Sequence, residues 1–359
     1  MISTIIVFLI ILSGLVIVHE LGHFYAAKKM GARVEEFGIG FPPRIYSKYD
    51  KSGVRWSINA ILAGGFVKIK GENGEDRNDK DSFVSLPIWR RFIILVAGVI
   101  MNLLTAVVLL TVVLNIGVLT VVEGDVPTGA SIDDQSIMVT QVLPDSPAAS
   151  AGLQAGDKIV SINDLSFASG EQAREYLNIN SDKEVFNFNI ERDGDNLELT
   201  IIPEYIQAID SLGVGAALME VGKVKYKWYM APWQAIKQTA VYTALIVGGI
   251  YDVVTSPFTG SQSYKMVSGP VGIADMTGEM MSLGLSSVLN FAAILSISLA
   301  VLNILPFPAL DGGRIMFLII EAVRRRPVNQ KWEILINNLG FLALLVLMVI
   351  VTYKDIVNL

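Results

Sequence analysis

The stretch His19-Glu20-Leu21-Gly22-His23 lies inside an apolar segment, residues 2–24, and holds both histidines of the 359-residue chain. On a helix with 3.6 residues per turn, residues four apart share one face, so both imidazoles can reach one metal ion. Glu20 lies beside that face, where a carboxylate can accept a proton from a water molecule. Two ordinary polar residues near a helix end are the alternative, but ionisable side chains are costly in an apolar span and usually functional. The stretch therefore predicts a metal site within the membrane.

The composition indicates a membrane protein with a soluble insertion. Hydrophobic residues make up 52% of the chain, and the mean hydropathy is +0.52. The apolar start has no basic leading region and no small-residue cleavage site, so we expect a retained helix rather than a signal peptide. The chain has no cysteine, which excludes disulfides and thiolate zinc sites. A net charge of −6 gives no support for nucleic-acid binding.

Several stretches are long and apolar enough to cross a bilayer, which takes about 20 residues. A weaker candidate, residues 235–254, is interrupted by Lys237, Gln238 and Asp252, so we expect an amphipathic helix lying in the membrane interface. We therefore predict a polytopic α-helical membrane protein with four transmembrane helices. They lie at about residues 2–24, 92–119, 287–306 and 334–353.

The distribution of charge predicts the orientation in the membrane. Residues 28–91 carry 13 basic and 8 acidic side chains, and the triplet Arg324-Arg325-Arg326 follows the third span, whereas residues 120–285 carry 9 basic and 21 acidic side chains. Cytoplasmic loops of membrane proteins carry an excess of Lys and Arg. We expect both basic loops to be cytoplasmic and both termini and the acidic insertion to be extracytoplasmic. A fifth span would move the Arg triplet outside and break this pattern.

The loop after the first span contains short runs in which apolar and polar residues alternate between glycines. The runs are Phe37–Pro43, Val54–Ala60 and Gly64-Gly65-Phe66-Val67-Lys68-Ile69-Lys70. This pattern predicts a membrane-associated β-hairpin region. Strands beside a membrane site would offer unpaired backbone groups to an extended substrate, which makes Gly64, Gly65 and Phe66 candidates for substrate binding. The alternative is a small sheet that only packs against the helices. We expect Glu72–Asp81, which is highly charged, to be solvated.

The second span contains Gly98-Val99-Ile100-Met101-Asn102. A glycine lets helices approach closely, and an asparagine can hydrogen-bond across a helix bundle. Packing alone would explain both residues. The other hypothesis is that Asn102 binds substrate directly.

Residues 137–203 predict an extracytoplasmic module of strands preceded by a turn and a short helix. Asp145–Asp157 has the pattern of a turn, a short helix and a glycine stop. This run and the strands around it resemble a PDZ domain of the bacterial type, an α+β fold that accepts a peptide strand at a sheet edge. The sequence leaves open whether the module binds a ligand or excludes large substrates. The expected strands are Lys158–Asn163, Glu184–Arg192 and Asn196–Ile202, the last two joined by the turn Asp193-Gly194-Asp195.

Two histidines leave a catalytic zinc one short of its usual three protein ligands. With no other histidine and no cysteine, a carboxylate must serve, and Asp311 is the strongest candidate. It follows the third span and precedes the Arg triplet, at the membrane depth expected for His19 and His23. Pro306 and Pro308 interrupt the helix before it, and two glycines after it allow a close turn. Capping of the next helix is the common role of an Asp-Gly pair, but the shared depth and the missing ligand favour the metal.

Together these motifs resemble the site-2 proteases, a family of intramembrane zinc metalloproteases, and specifically the bacterial branch of regulator-of-sigma-E proteases. The resemblance covers nearly the whole chain and also includes Ser268–Ile273 and Asn303–Gly312. One departure is visible, because the insertion has room for a single PDZ module where well-studied relatives carry two. That departure bears on how substrates are admitted and leaves the chemistry unchanged.

The resemblance implies one zinc ion, held by His19, His23 and Asp311, with Glu20 as the catalytic base. It also implies that Asn303 positions the substrate, with help from the hairpin and from Ser268–Ile273. The implied activity is that of a metalloendopeptidase acting on single-span membrane proteins, of the anti-sigma-factor type, or on remnant signal peptides. The first cut would occur outside the membrane. The implied location is the bacterial cytoplasmic membrane, with transmembrane substrates and the lipid bilayer as partners and the site near the cytoplasmic side.

The expected domains are an N-terminal membrane core (residues 1–119), an extracytoplasmic PDZ domain (120–210), a linker with an interfacial helix (211–285) and a C-terminal membrane core (286–359). Three other functions fit a metal in a membrane. A metal transporter would show repeated halves, and the chain has no internal repeat. A scaffold with a structural metal would need four protein ligands. A membrane-anchored protease acting outside conflicts with the expected cytoplasmic depth of the site.

Overall fold

The computed structural model describes residues 2–122, 129–180, 185–192, 194–206, 211–260 and 267–358. The chain divides into two compact units. The first unit consists of Met1–Val112 and Pro232–Leu359, and the second unit is Val113–Ala231. The predicted domain boundaries stay predictions, although the chain passes from one unit to the other close to the end of the second apolar helix.

The first unit contains the long apolar helices. Helices α1 (Ile2–Met30) and α2 (Ile88–Ile116) begin before the second unit in the chain. Five more helices begin at or after Ala231, the last residue of that unit. Among the described residues, five helices are long and apolar enough to cross a membrane: α1, α2, α5, α7 and α9. The later helices are α5 (Ala231–Thr259), α6 (Pro270–Ser282), α7 (Leu285–Ile304), α8 (Asp311–Arg324) and α9 (Gln330–Asn358), numbered after two short helices of the second unit.

The segment predicted as an interfacial helix is longer than expected. Residues 235–254 lie within α5, which has 29 residues and is the least apolar of the five long helices. Lys237 and Asp252 lie within this helix, and both side chains are exposed. The four spans predicted from the sequence overlap α1, α2, α7 and α9, although the predicted spans 92–119 and 287–306 extend two or three residues past the ends of α2 and α7. The count of four stays a prediction.

Strands β1 (Val34–Tyr49) and β2 (Arg55–Ile69) form an antiparallel ribbon that folds back on itself. Phe37 lies opposite both Val67 and Trp56, so the first part of β1 is placed between the two ends of β2. The rings of Phe24, Phe37 and Trp56 pack together at centroid distances of 5.0 to 5.6 Å and join the ribbon to α1. The predicted strand runs lie in these two elements.

The charged stretch after the hairpin is held in place by ion pairs. Lys70 Nζ lies 2.6 Å from Asp79 and 2.8 Å from Asp81, and the backbone N–H of Arg33 donates to the Asp81 carbonyl at 2.8 Å. The two aspartates raise the pKa of Lys70 above its ordinary value. The sequence predicted only that Glu72–Asp81 is solvated. The structure adds these ion pairs, since paired charges can order a stretch that lacks apolar residues.

The second unit is built on an antiparallel sheet of six strands in the order β3-β10-β4-β5-β6-β7. Helices α3 (Pro147–Ser150) and α4 (Gly170–Ile179) accompany the sheet, and Ser146 caps α3 by accepting a hydrogen bond from the Ala149 N–H. Buried side chains such as Phe186, Phe188 and Leu218 form one core. The strands are β3 (Val118–Val121), β4 (Ala130–Val142), β5 (Lys158–Ile162), β6 (Phe186–Arg192), β7 (Asp195–Ile201) and β10 (Ala216–Tyr226), with β8 (Glu204–Ile206) and β9 (Ser211–Gly213) in a separate pair.

The last strand of the sheet and one predicted turn need comment. Strand β10 falls inside the stretch predicted as a linker, 211–285, because Leu218, Val221 and Val224 bury their side chains in the sheet. The predicted turn at Asp193-Gly194-Asp195 includes Asp193, which lies outside the described residues.

Candidate active site

The two histidines of α1 meet on one face of the helix, as their spacing predicts. Each is 6% exposed, and the Nε2 atoms of His19 and His23 lie 3.0 Å apart. The His23 Nδ1 is 2.8 Å from the carbonyl oxygen of Ile94 on α2. Because a carbonyl can only accept, this Nδ1 carries the proton and the Nε2 presents its lone pair to the site.

Asp311 completes the cluster from a distant part of the chain. Its Oδ2 lies 3.0 Å from His19 Nε2 and 3.2 Å from His23 Nε2. It is the first residue of α8, just after the break at Pro306 and Pro308 that ends α7. A Cβ on Gly313 would come within 2.9 Å of the Phe307 carbonyl carbon, so the turn that brings Asp311 to the histidines has no room for a side chain there.

The donor set suits a zinc ion. One potential ligand atom from each of His19, His23 and Asp311 lies within 4.8 Å of the other two. Two imidazole nitrogens and one carboxylate oxygen match the donors of catalytic zinc sites with an open fourth position. Opposite them on α2 is Gly98, where a Cβ would lie 2.5 Å from His23 Nε2 and 2.7 Å from His19 Nε2. The absence of a side chain at Gly98 therefore leaves the space beside both nitrogens open.

Glu20 lies next to this cluster and contacts the hairpin. Its Oε2 accepts a hydrogen bond from the backbone N–H of Val67 in β2 at 3.0 Å. Glu20 is not among the three residues whose ligand atoms group together. Strand β2 therefore holds the Glu20 carboxylate beside the three potential ligands, and Glu20 is not one of them.

Strand β2 runs along α1 towards Glu20. The Ser13 hydroxyl donates to the Leu62 carbonyl at 2.9 Å, and Cβ atoms on Gly64 and Gly65 would lie 3.2 Å and 3.3 Å from the Val16 and Ile17 side chains. The two glycines thus let the strand lie directly on the helix. Phe66 is half-buried and lies opposite Gly38 in the ribbon. All three candidate substrate residues of the hairpin are near the site, in contact with α1 or with β1.

The other residues predicted to handle substrate lie in three different places. Asn102 is fully buried on α2, with its Nδ2 3.3 Å from His19 Nδ1, on the side of the ring away from Asp311. Asn303 is half-buried near the end of α7, and among the described residues its side chain makes no hydrogen bond to the cluster. The Ser268–Ile273 stretch lies at the start of α6, where the N–H groups of Gly269 and Gly272 donate to Asp355 of α9.

Several contacts that organise the site could not be predicted from the sequence. Arg314 on α8, one turn after Asp311, pairs with Glu72, which follows β2. Arg91 on α2 makes a bidentate pair with Glu321 on α8 at 2.5 and 2.9 Å. These side chains border a cavity of about 270 Å³ together with Arg77 and Glu333. Runs of opposite charge were visible in the sequence, but the partners are 230 and 242 residues apart and could not be matched from it.

The second unit has a cleft of its own. It has a volume of about 340 Å³ and lies between α4 and the segment that leads into β10. Leu177, Phe186 and Val214 give it an apolar floor, and Arg174 stands at its border.

Comparisons with known proteins show the family of the chain. Residues 7–347 match the model of peptidase family M50. A candidate zinc metalloprotease of Rhizobium meliloti is 33% identical over 98% of this chain and 96% of its own length. The regulator of sigma-W protease RasP of Bacillus subtilis is 30% identical over 99% of this chain and 98% of its own length.

One solved structure is similar to a part of the chain. The PDZ domain of an SdrC-like protein from Listeria innocua is 27% identical and covers 23% of this chain and 92% of its own length, with a TM-score of 0.20. A score this low carries no argument about the fold of the second unit. The family match, in contrast, spans both units and includes the histidines and Asp311, so the chain belongs to peptidase family M50, the site-2 protease family that its motifs resemble.

Proposed function

We propose that this chain, a zinc metalloendopeptidase of peptidase family M50, cleaves single-span membrane proteins within the bilayer. The observation that carries the proposal is the meeting of His19, His23 and Asp311 within helices of a membrane protein. Asp311 is 292 residues from His19, yet the two side chains are 3.0 Å apart. Three buried or half-buried donors of this kind, from two distant helices, are the minimum set of a catalytic zinc site.

In this proposal zinc is held by His19, His23 and Asp311. When bound, a zinc ion polarises a carbonyl group and makes a water molecule more acidic. The Ile94 carbonyl fixes the His23 ring so that Nε2 is available, and Gly98 keeps the neighbouring surface of α2 clear. A metal transporter would need further polar residues along a path, whereas the described cluster is a single group of three.

Glu20 is the general base of the proposed reaction. Its Oε2 is held by the Val67 N–H, which leaves Oε1 to accept a proton from the attacking water. The same carboxyl group then donates that proton to the amine that leaves. Glu20 directly follows His19 on the same helical turn as His23. Its carboxylate is therefore within reach of a water molecule next to the two histidine nitrogens.

The hairpin is proposed to bind the unwound substrate. A transmembrane helix hides its carbonyls in internal hydrogen bonds, so it must unwind locally before attack, and lost hydrogen bonds are costly in lipid. Gly64, Gly65 and Phe66 lie on the part of β2 that runs along α1 to Glu20, where an extended segment could pair with it. Asn303, near the end of α7, would contribute from the other side of the substrate.

Four spans are the proposed count, and the position of α6 supports it. A Cβ on Gly278 of α6 would lie 3.1 Å from Thr4, and the start of α6 is bound to Asp355, so α6 lies level with the first turn of α1 and the last turns of α9. Seven residue steps join Gly260 to Val267, a reach of roughly 25 Å. The hydrocarbon core is about 30 Å thick. This short connection supports the proposal that α5 does not cross the membrane.

The proposed orientation places the zinc site near the cytoplasmic side. Helices α1 and α2 are antiparallel, since Ile94 meets His23 while Asn102 meets His19. The basic stretches 28–91 and 324–326 then lie at the end nearer the site, and the chain leaves the other end of α2 to form the second unit. With the basic stretches cytoplasmic, both termini and the second unit are extracytoplasmic, and the membrane is the bacterial cytoplasmic membrane.

The second unit is proposed to be a PDZ domain that controls access. Its apolar cleft beside α4 could hold a peptide segment of the substrate, in keeping with the PDZ-like sequence pattern. The Bacillus subtilis relative is named regulator of sigma-W protease RasP, which supports an anti-sigma factor as the substrate class, trimmed outside before this enzyme acts. Remnant signal peptides are the second class.

The test replaces Glu20 with Gln in the full-length chain. We expect cleavage of a single-span model substrate to fall at least about a thousandfold while zinc remains bound, because the ligands are intact and the base is lost. Mass spectrometry of membrane peptides that accumulate in cells carrying Glu20→Gln would identify the natural substrate. Full cleavage by the variant would contradict the proposal, and so would wild-type protein that binds no zinc.

A further inference from the structure

We infer that Asn102 is a positioning residue for the zinc site, whose amide oxygen accepts a hydrogen bond from His19 Nδ1. This inference rests on the proposed function, because it assumes that His19 binds zinc through Nε2. It replaces the predicted role of Asn102 in substrate binding. In the structure, Nδ2 of Asn102 lies 3.3 Å from His19 Nδ1. The inference reverses the amide, so that Oδ1 faces this nitrogen instead.

The first observation is the burial of the Asn102 side chain. Asn102 is 0% exposed, and its Oδ1 is a buried atom without a hydrogen-bond partner among the described residues. A buried polar atom without a partner costs about 1–3 kcal/mol. Reversal of the amide gives Oδ1 a donor in His19 Nδ1 and moves Nδ2 to the position without a partner. The burial therefore indicates that this amide has a role at the His19 ring, and a substrate contact does not explain it, because the side chain lies behind that ring.

The second observation is the chemistry of the His19 ring. Its Nε2 faces Asp311 and His23, so this nitrogen is the one that can bind the metal. A neutral imidazole that binds metal through Nε2 carries its proton on Nδ1, which must then be a donor. An amide nitrogen facing that N–H would place two donors together. The amide oxygen and nitrogen cannot be told apart by shape, so the hydrogen-bond partner decides the orientation, and the reversed amide gives a donor and an acceptor at 3.3 Å.

With the reversed amide, the two histidines have equivalent surroundings. His23 Nδ1 donates to a backbone carbonyl of α2, that of Ile94, and His19 Nδ1 donates to a side-chain carbonyl of the same helix. Partners of this kind fix the ring orientation and the tautomer of metal-binding histidines. Helix α2 thus supplies one acceptor for each ligand of α1.

Helix α7 holds Asn102 in place. The Ser296 hydroxyl is fully buried and donates to the backbone carbonyl of Asn102 at 2.8 Å. This bond uses the main chain and leaves the side-chain amide for His19. It also provides a matched control, because loss of the Ser296 hydroxyl disturbs the same place in the fold without removing the acceptor.

The experiment measures zinc affinity in the purified full-length protein by competition with a chelator. We expect Asn102→Leu, which has a similar volume and no acceptor, to bind zinc roughly 10- to 100-fold more weakly. Asn102→Asp keeps an acceptor oxygen, so its affinity should stay within a few-fold of wild type or become tighter. Ser296→Ala should lower the thermal stability and leave zinc affinity unchanged. Thermal unfolding of the zinc-free proteins shows that each variant is folded.

The outcomes separate this inference from the proposed function. If Asn102→Leu binds zinc as tightly as wild type, or if Asn102→Asp is weakened as much as Asn102→Leu, the acceptor role is wrong. If His23→Ala and Asp311→Asn also bind zinc as tightly as wild type, the zinc site itself is wrong. The visible spectrum of the cobalt-substituted proteins adds a readout besides affinity, since a His19 ring released from Asn102 would change the ligand geometry in Asn102→Leu and not in Ser296→Ala.

Discussion

The backbone N–H of Val67 donates to the carboxylate of Glu20 at 3.0 Å, so the hairpin directly holds the residue proposed as the base. This contact joins two parts of the chain that the sequence treats separately, a transmembrane helix and a loop strand. In the proposed mechanism, the position of the hairpin on α1 therefore affects catalysis as well as substrate binding.

Replacement of Val67 with Pro tests that contact. Proline removes the N–H, and an edge strand tolerates it where the N–H points out of the ladder, as this one does towards Glu20. A hydrogen bond to a charged group contributes about 1.5–3 kcal/mol, so we expect kcat/KM for a model substrate to fall roughly 10- to 100-fold. Val67→Ala, which keeps the N–H, is the control and should stay near wild type. Zinc content should be unchanged in both, and equal activity of the two variants would show that the contact has no catalytic role.

The ion pair of Glu72 and Arg314 links the end of β2 to the helix that begins with Asp311. We expect Glu72→Arg and Arg314→Glu each to lower kcat/KM about tenfold, because each places two like charges together beside the site. The double variant restores the pair and should recover most of the activity. Glu191→Gln breaks an exposed pair with Lys158 in the second unit and should have no effect. Additive losses in the double variant would exclude the proposed link.

Gly98 is predicted to be irreplaceable even by alanine. A Cβ at this position would lie 2.5 Å from His23 Nε2 and 2.7 Å from His19 Nε2, in the space that a metal ion needs. We expect Gly98→Ala to lose both bound zinc, measured by atomic emission, and proteolytic activity. Gly248→Ala in α5 has no atom within 4 Å of the new Cβ and should retain both. Normal zinc content in Gly98→Ala would refute this explanation of the glycine.

Asp355 holds the start of α6 against the end of α9. Its Oδ2 accepts hydrogen bonds from the N–H groups of Gly269 and Gly272 at 2.9 and 2.8 Å, and its side chain is buried. Loss of a capping carboxylate costs about 0.5–2 kcal/mol, so Asp355→Ala should lower the melting temperature by several degrees. Asp275→Ala changes an exposed aspartate on α6 itself and should not. If both variants melt like wild type, the Ser268–Ile273 stretch needs a role other than this docking.

The sequence predicted the chemistry of the site better than its surroundings. His19, Glu20 and His23 lie on one helical turn, so the fixed geometry of the α-helix makes their spacing informative. Asp311 could be inferred because no other histidine or cysteine was present to complete the ligand set. The role of Asn102 could not be inferred, because nothing in the spacing of α1 and α2 says which residue faces a ring nitrogen.

The sequence by itself determined the apolar helices, the strands of the hairpin and the donor types of the site, since each depends on local pattern or on composition. Only the tertiary structure decided that Val67 holds Glu20, that Glu72 pairs with Arg314 and that Gly98 faces the histidines. It also placed β10 in the sheet of the second unit, where a linker was expected. These contacts join residues far apart in the chain, and their pairing follows from helix packing and strand register, which no local pattern encodes.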